Sequence, residues 1–184
     1  MTGLLFLLLT SLSALAQAPA APPEEPKIAE LDWMVGDWQA VDKSDSGGEL
    51  LIHLSARRSD NQQALLYHVT LESKGRTTPK YDGVYYWNPA EKTYKLLQVS
   101  DEGIVSEGTL QQTGNRITQL VRGVTADRSF ELKSDWEIRP REFHFVAQFR
   151  PEGKAEWTPA VDLTYSRVGI GALPPATSPS RHPH

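Results

Sequence analysis

Three histidines in the body of the chain carry the side chains best suited to bind a metal ion or haem iron. His53, His68 and His144 each stand in a segment where polar and apolar residues alternate, far from one another in sequence. Imidazole nitrogen is a common protein ligand for zinc and for haem iron, so imidazoles meeting in one interior could hold either. Metal sites on strands usually also show a second histidine two residues away or a carboxylate on the same face, and these three histidines are isolated. We therefore predict no metal site and no cofactor, and keep a haem- or metal-dependent enzyme as an alternative. His68 and His144 remain candidate ligand-binding residues.

Aromatic residues are dense in one segment of the chain. Tyr81, Tyr85 and Trp87 share a face if residues 80–87 form a strand, because successive side chains of a strand point to opposite faces. Two hydroxyls and an indole N–H on an otherwise apolar wall are the mixture that small-molecule pockets use. Aromatic side chains also form strands well and fill small barrels. The pattern predicts a ligand-binding wall of Tyr81, Tyr85 and Trp87, with a filled interior as the alternative.

Composition restricts the remaining chemistry. The chain of 184 residues contains no cysteine, which excludes thiol catalysis, cysteine-ligated zinc and iron–sulfur clusters. The sequence has none of the Gly-x-Ser-x-Gly, His-Glu-x-x-His, Gly-x-Gly-x-x-Gly or Walker-type signatures of common hydrolases, proteases and nucleotide-binding proteins. A net charge of -4 and a pI near 5.7 leave no excess of positive charge to contact a phosphate backbone. We predict no catalytic residue and no nucleic-acid partner.

The first residues of the chain predict export. Residues 4–15 are apolar except for one threonine and two serines, and Ala16-Gln17-Ala18 follows, as in the apolar region and cleavage site of a secretory signal peptide. The run is shorter than the roughly 20 apolar residues that span a bilayer. We predict that residues 1–18 are a signal peptide cleaved after Ala18. The mature protein is then expected to be secreted or periplasmic, with no membrane span.

Proline placement marks the expected limits of the folded domain. Prolines are frequent in residues 19–26 and again in residues 169–184, and both segments have little apolar surface to bury. We predict that residues 19–26 form a flexible linker and that residues 169–184 form a disordered tail. Residues 27–168 are predicted to fold as one domain, held by its core alone because no disulfide is available.

Within this domain the hydrophobic period is mostly two, which is typical of strands. Turn-forming groups such as Thr113-Gly114-Asn115 and Pro151-Glu152-Gly153 recur at short intervals between the alternating segments. The one helical candidate is residues 28–35. The spacing predicts an all-β antiparallel meander, closed into a barrel of about 8–10 strands so that no edge is left unpaired. The predicted strands cover residues 38–42, 49–57, 63–72, 80–87, 93–100, 104–110, 116–124, 129–138, 142–149 and 157–167.

The two ends of the predicted barrel resemble those of calycins, the lipocalin-like superfamily. Gly36-Asp37-Trp38 follows the short helix, and Arg167 ends the last strand. By this resemblance Gly36 and Trp38 open the first strand, the Trp38 ring packs under the barrel floor, and Arg167 lies across it and joins the first strand to the last.

The middle of the chain is similar to a family of uncharacterised secreted bacterial calycin-like proteins. That family has a Gly-Tyr-Asp-Pro-x-x-Lys-x-Tyr hairpin followed by an acidic-Gly turn, and this chain has residues 86–94 and Asp101-Glu102-Gly103 in the corresponding places. The chain departs from the family pattern at Tyr86, Trp87 and Asn88. The resemblance covers roughly residues 31–167 and implies a calycin-like barrel.

Together these observations predict a barrel that binds a small, largely apolar molecule in its interior. Two alternatives stay open. One is a haem- or metal-dependent calycin-like enzyme. The other is a solid-barrel structural or protein-interaction module, which requires a filled interior and an exposed apolar patch on the outside. The oligomeric state is left open.

Overall fold

A computed structural model of the protein describes residues 27–43 and 48–169. The predicted signal peptide (1–18), the predicted linker (19–26) and all but the first residue of the predicted tail (169–184) lie outside the described residues.

The described chain contains one short helix followed by ten strands. The helix is of the 3₁₀ type and covers Lys27–Met34, close to the predicted position. The strands are β1 (Gly36–Lys43), β2 (Glu49–Arg58), β3 (Ala64–Ser73), β4 (Arg76–Asn88), β5 (Thr93–Ser100), β6 (Val105–Thr113), β7 (Arg116–Val124), β8 (Ser129–Arg139), β9 (Glu142–Pro151) and β10 (Thr158–Arg167).

The ten strands form one closed antiparallel barrel, which confirms the predicted fold class. Each strand pairs with its neighbour in sequence, and β1 pairs with β10 to close the sheet. The closing register places Trp38 opposite Arg167 and Gln39 opposite Ser166. Closure removes both sheet edges, so no described strand presents an unpaired row of backbone groups.

Alternation of side chains produces the barrel core. In β7 the residues at every second position from Ile117 are buried, and those between them are exposed. The same period appears in the other strands, where apolar side chains alternate with polar ones. The tight turns that separate the strands use glycines with positive φ, such as Gly103 (76°) and Gly114 (60°), because other residues rarely adopt this conformation.

One end of the barrel is closed by the 3₁₀ helix. Ile28, Leu31 and Met34 are buried beneath the strands. The Trp38 indole N–H donates a hydrogen bond of 2.8 Å to the backbone carbonyl of Met34. The Arg167 guanidinium lies 4.2 Å from the centre of the Trp38 ring and donates to the Val35 and Trp33 carbonyls, each at 2.7 Å. These contacts fix the helix as the barrel floor.

Within the described residues, no helix combines the length and the apolar character that crossing a membrane requires.

Candidate functional site: the barrel interior

The barrel encloses a cavity of about 750 Å³. Its floor includes Met34 of the helix, and its lining reaches Ile104, Thr125 and Glu152, which lie at the opposite end in or beside the turns after β5, β7 and β9. The cavity therefore extends from the closed floor to a rim formed by these turns, and we call this end the mouth.

One wall of the cavity is apolar. Strands β2, β9 and β10 contribute aliphatic and aromatic side chains, and Tyr165 is the only residue they supply to the lining that carries a polar side chain. Phe143 stacks on Tyr165 with ring centres 4.6 Å apart and on Trp136 at 5.4 Å. This wall offers extended apolar surface to a bound molecule. Its principal residues are Ile52, Leu54, Phe145, Phe149, Val161 and Leu163.

The opposite wall carries a group of polar side chains. The Tyr67 hydroxyl donates to the Gln98 side-chain carbonyl at 2.5 Å, and the Tyr85 hydroxyl donates to that of Gln119 at 3.4 Å. The Tyr67 and Tyr85 rings stack at 5.2 Å, which joins the two pairs. Two serines complete the group, which we call the tyrosine–glutamine cluster; its members are Tyr67, Tyr85, Gln98, Ser106, Gln119 and Ser134, and all six line the cavity.

Strand register brings part of this cluster together. Tyr67 lies opposite Gly83, Gly83 opposite Gln98, and Gln98 opposite Ser106 on four adjacent strands. Gly83 has no side chain, and a Cβ at this position would overlap the Tyr67 ring. The Tyr67 side chain therefore lies across β4 and reaches Gln98 on β5.

Burial keeps the tyrosines of the interior protonated. It raises the pKa of Tyr67, Tyr81, Tyr85 and Tyr165 above the ordinary value of 10, since each phenolate would lose its hydration. At neutral pH these hydroxyls are uncharged hydrogen-bonding groups.

Charged side chains in the lining of the described chain are confined to the mouth. They are Lys80, Arg128 and Glu152. The Lys80 ammonium pairs with Asp101 at 2.9 Å and with Glu102. The Glu152 carboxylate accepts a hydrogen bond of 2.6 Å from Ser129. Beyond the mouth, the described lining is polar only through uncharged groups.

Only two of the three residues of the predicted aromatic wall line the cavity. Tyr81 and Tyr85 line the cavity, with Tyr85 nearly fully buried. Trp87 is half-buried but is not in the lining; it lies nearer the closed end, where its ring packs on Tyr94 at 4.9 Å between centres. The three residues share a face, but β4 is longer than the cavity wall, so its last inward residue packs beneath the cavity.

His68 and His144, which the sequence offered as candidate ligand-binding residues, do not line the cavity. Tyr67 faces inward, so its neighbour His68 faces outward and meets Asp82 at 2.7 Å. His144 likewise meets Asp162 at 2.7 Å on the outer face, and His53 meets Glu72 at 3.3 Å. Each pair bridges two adjacent strands.

The placement of the histidines bears on the haem or metal alternative. No histidine lines the described cavity, so His68 and His144 do not fit the role of interior iron ligands. In the part of the chain that the structure describes, no three or more His, Asp and Glu side chains are grouped to hold a metal ion.

The solid-barrel alternative requires a filled interior, and the cavity contradicts that requirement. Its second requirement, exposed apolar residues, has a counterpart on the outer face. Val99 lies opposite Val105, and Val105 opposite Val124, and each is 44–47% exposed.

Most residues of the tyrosine–glutamine cluster were not predicted from the sequence. Gln119 lies between Ile117 and Val121 on the inward parity of β7, so a polar residue among inward apolar ones was the available signal. Gln98, Ser106 and Ser134 also occupy inward positions. Alternation alone could have identified them as interior polar residues, although it could not have shown which pairs meet.

Comparison of the chain with protein-family models and with curated proteins finds no match. The chemistry of the cavity is therefore the basis for a functional assignment.

Proposed function

We propose that the protein is a secreted or periplasmic binding protein that holds a small, largely apolar molecule inside its barrel. The observation that carries this proposal is the cavity of about 750 Å³ between the helix floor and the mouth. Pockets for small molecules commonly measure about 300–1,000 Å³ and combine apolar walls with a few polar groups. The lining described above has this composition.

Burial of apolar surface supplies the binding energy in this proposal. Each Å² of ligand surface removed from water contributes about 25 cal/mol, before the cost of immobilising the ligand. The apolar wall of Phe145, Phe149, Val161 and Leu163 provides the matching surface. The helix blocks the floor through Met34, whose carbonyl receives a hydrogen bond from Trp38 of β1, so the ligand enters through the mouth.

Export and calycin-like membership are part of the same proposal. The apolar run in residues 4–15 and Ala16-Gln17-Ala18 support export. The closing contact of Arg167 with Trp38 supports the calycin-like assignment. The mass of the protein recovered from a periplasmic or culture fraction tests export, with an N-terminus at Pro19 expected. Recovery only from the cytoplasm with residues 1–18 intact contradicts it.

Titration with Nile red, an uncharged apolar dye, tests the binding function. We expect the dye to gain fluorescence with the native protein. Val69→Trp and Val161→Trp place an indole in the cavity and are expected to weaken binding about tenfold or more. Thr70→Trp is the matched control, because Thr70 neighbours Val69 on β3 but is not in the cavity lining and lies opposite the outward-facing His53.

The competing explanation is dye binding to the exposed valines of the outer face. Equal binding by the native protein, Val69→Trp and Val161→Trp would overturn the interior site. Melting temperatures of all four proteins establish that each variant is folded before the comparison is made.

A further inference from the structure

We infer that the ligand of this cavity is uncharged and presents hydrogen-bond acceptors, of the carbonyl class, to the tyrosine–glutamine cluster. This inference rests on the proposed function and specifies the chemistry of the molecule bound.

The two glutamines supply most of the unused donors. A glutamine side chain has one carbonyl acceptor and two N–H donors. In Gln98 and Gln119 the carbonyl oxygen already accepts a tyrosine hydroxyl. Neither amide nitrogen has a hydrogen-bond partner among the described residues, although both side chains line the cavity. In both glutamines the carbonyl oxygen therefore already receives a hydrogen bond, while the amide N–H groups remain available to a ligand.

The two serine hydroxyls can also donate to a ligand. The Ser134 hydroxyl oxygen accepts a hydrogen bond of 2.9 Å from the Trp136 indole N–H, which leaves its own hydrogen to donate. Ser106 is 3% exposed and its hydroxyl has no hydrogen-bond partner in the described part of the chain. A bound acceptor can satisfy both hydroxyls, whereas a ligand that only donates would leave the N–H groups of Gln98 and Gln119 unpaired.

The positions of the charged side chains favour a ligand with a neutral carbonyl over one with a carboxylate. The cations Lys80 and Arg128 lie at the mouth, and the described lining beneath it has no cation to pair with an anion. Burial of an unpaired carboxylate costs far more than burial of a neutral carbonyl that receives hydrogen bonds. The cluster therefore favours neutral acceptors such as ketones, quinones, lactones, esters and amides.

The two-sided lining restricts the shape of the ligand as well. The cluster residues lie on β3 to β8, while β2, β9 and β10 present the apolar wall. A hydrocarbon body with carbonyl oxygen on one edge can contact both walls at once. Its polar edge would meet Gln98, Gln119 and Ser106, and its opposite edge would meet Phe145 and Leu163.

Three naphthalene probes that differ in one substituent test the inference. Acetonaphthone carries a methyl ketone, ethylnaphthalene the matching hydrocarbon, and naphthoate a carboxylate. Without hydrogen bonds the hydrocarbon would bind most tightly, because it is the least hydrated of the three. We expect the ketone to equal or exceed the hydrocarbon in affinity, and naphthoate to bind at least about tenfold more weakly. Displacement of Nile red measures all three.

The glutamines are tested by substitution with methionine, which has a similar length and no amide. Gln98→Met together with Gln119→Met is expected to weaken acetonaphthone about tenfold, the equivalent of one good hydrogen bond, and to leave ethylnaphthalene unchanged. Ser106→Ala removes one unpaired hydroxyl with little change of volume and is expected to act in the same direction. Gln111→Met is the matched control, because Gln111 is exposed on β6.

Tighter binding of ethylnaphthalene than of acetonaphthone, with no effect of the glutamine variants, would overturn the acceptor inference and leave the interior site in place. Binding of Nile red without binding of acetonaphthone would do the same. Failure of both the dye and the ketone to bind the native protein would overturn the proposed function as well.

Discussion

Gly36 and Arg167 meet where β1 pairs with β10, and they lie so close together that no side chain would fit on Gly36. A Cβ built on Gly36 would lie 2.7 Å from Arg167 Nη1, the same nitrogen that donates to the Val35 carbonyl. Gly36 also has a φ of +121°, a conformation that other residues rarely adopt. The start of β1 is thus shaped to receive the guanidinium that covers Trp38.

We predict that Gly36→Ala destabilises the protein by roughly 2–4 kcal/mol, because backbone strain and displacement of Arg167 add. Urea unfolding measures the change. Gly169→Ala is the control, since a Cβ there meets nothing within 4 Å, and it is expected to stay near the native value. Equal stability of Gly36→Ala and the native protein would contradict the closing role of Arg167.

A second prediction concerns Gly83, over which the Tyr67 ring lies. Gly83→Ala is expected to cost about 1–3 kcal/mol by forcing the ring aside and breaking its bond to Gln98. Tyr67→Leu removes the ring, so in that background Gly83→Ala should lower the free energy of unfolding by a smaller amount. A double-mutant cycle measures the coupling, and strictly additive losses would refute the contact.

We predict that the contribution of Glu30, in the helix floor, to the free energy of unfolding depends on pH. Hydrogen bonds from Lys27 and Tyr94, the latter at 2.6 Å, lower the pKa of Glu30 below its ordinary value of 4.5. A lowered folded pKa contributes stability above about pH 4.5 that is lost as the pH falls through the folded value. Glu30→Gln is therefore expected to cost about 0.5 kcal/mol at neutral pH, a small value because Glu30 is half exposed, and progressively less below pH 4.5. Denaturation of both proteins across this range tests the dependence, and a pH-independent difference would contradict it. Glu156→Gln, at an exposed loop position, is the control.

Alkaline conditions are predicted to destabilise the barrel. Desolvation raises the pKa of five of the six tyrosines above the ordinary value of 10, and for Tyr94 the bond to Glu30 adds to the effect. Because the unfolded chain releases these protons near pH 10 and the folded protein retains them, the free energy of unfolding falls as the pH rises above about 10.

Absorbance of the phenolate group checks this prediction directly. The folded protein should develop most of the signal only when it unfolds, while protein unfolded in urea should titrate near pH 10. Full ionisation of the tyrosines in the folded state near pH 10 would disprove the burial of Tyr67, Tyr85 and Tyr165.

The sequence predicted the strands well because alternation is a local property. Residues 116–124, for example, alternate throughout, and β7 occupies the same range. Alternation also placed Tyr81 and Tyr85 on the inner face. It could not assign depth along the strand, so Trp87 was grouped with them although it packs beneath the cavity.

The tyrosine–glutamine cluster depends on contacts between residues that are distant in sequence, and no local sequence pattern predicts such contacts. Tyr67 and Gln98 are 31 residues apart, and Tyr85 and Gln119 are 34 apart. Their meeting depends on the register of several strand pairs and on the absence of a side chain at Gly83. His68 is a simpler case, because alternation with its inward neighbour Tyr67 directs its side chain to the outer face, away from the cavity.

Closure between the first and last strands constrains the order in which the chain folds. Every other strand pair joins sequence neighbours, so each of these hairpins closes only a short loop and can form early. The β1 to β10 pair joins opposite ends of the domain and therefore forms late, at the entropic cost of a very long loop. Until residues 158–167 pair, the folding chain exposes the edges of β1 and β9 together. Such a nine-stranded intermediate presents two unpaired strand edges, and unpaired edges promote pairing with another chain.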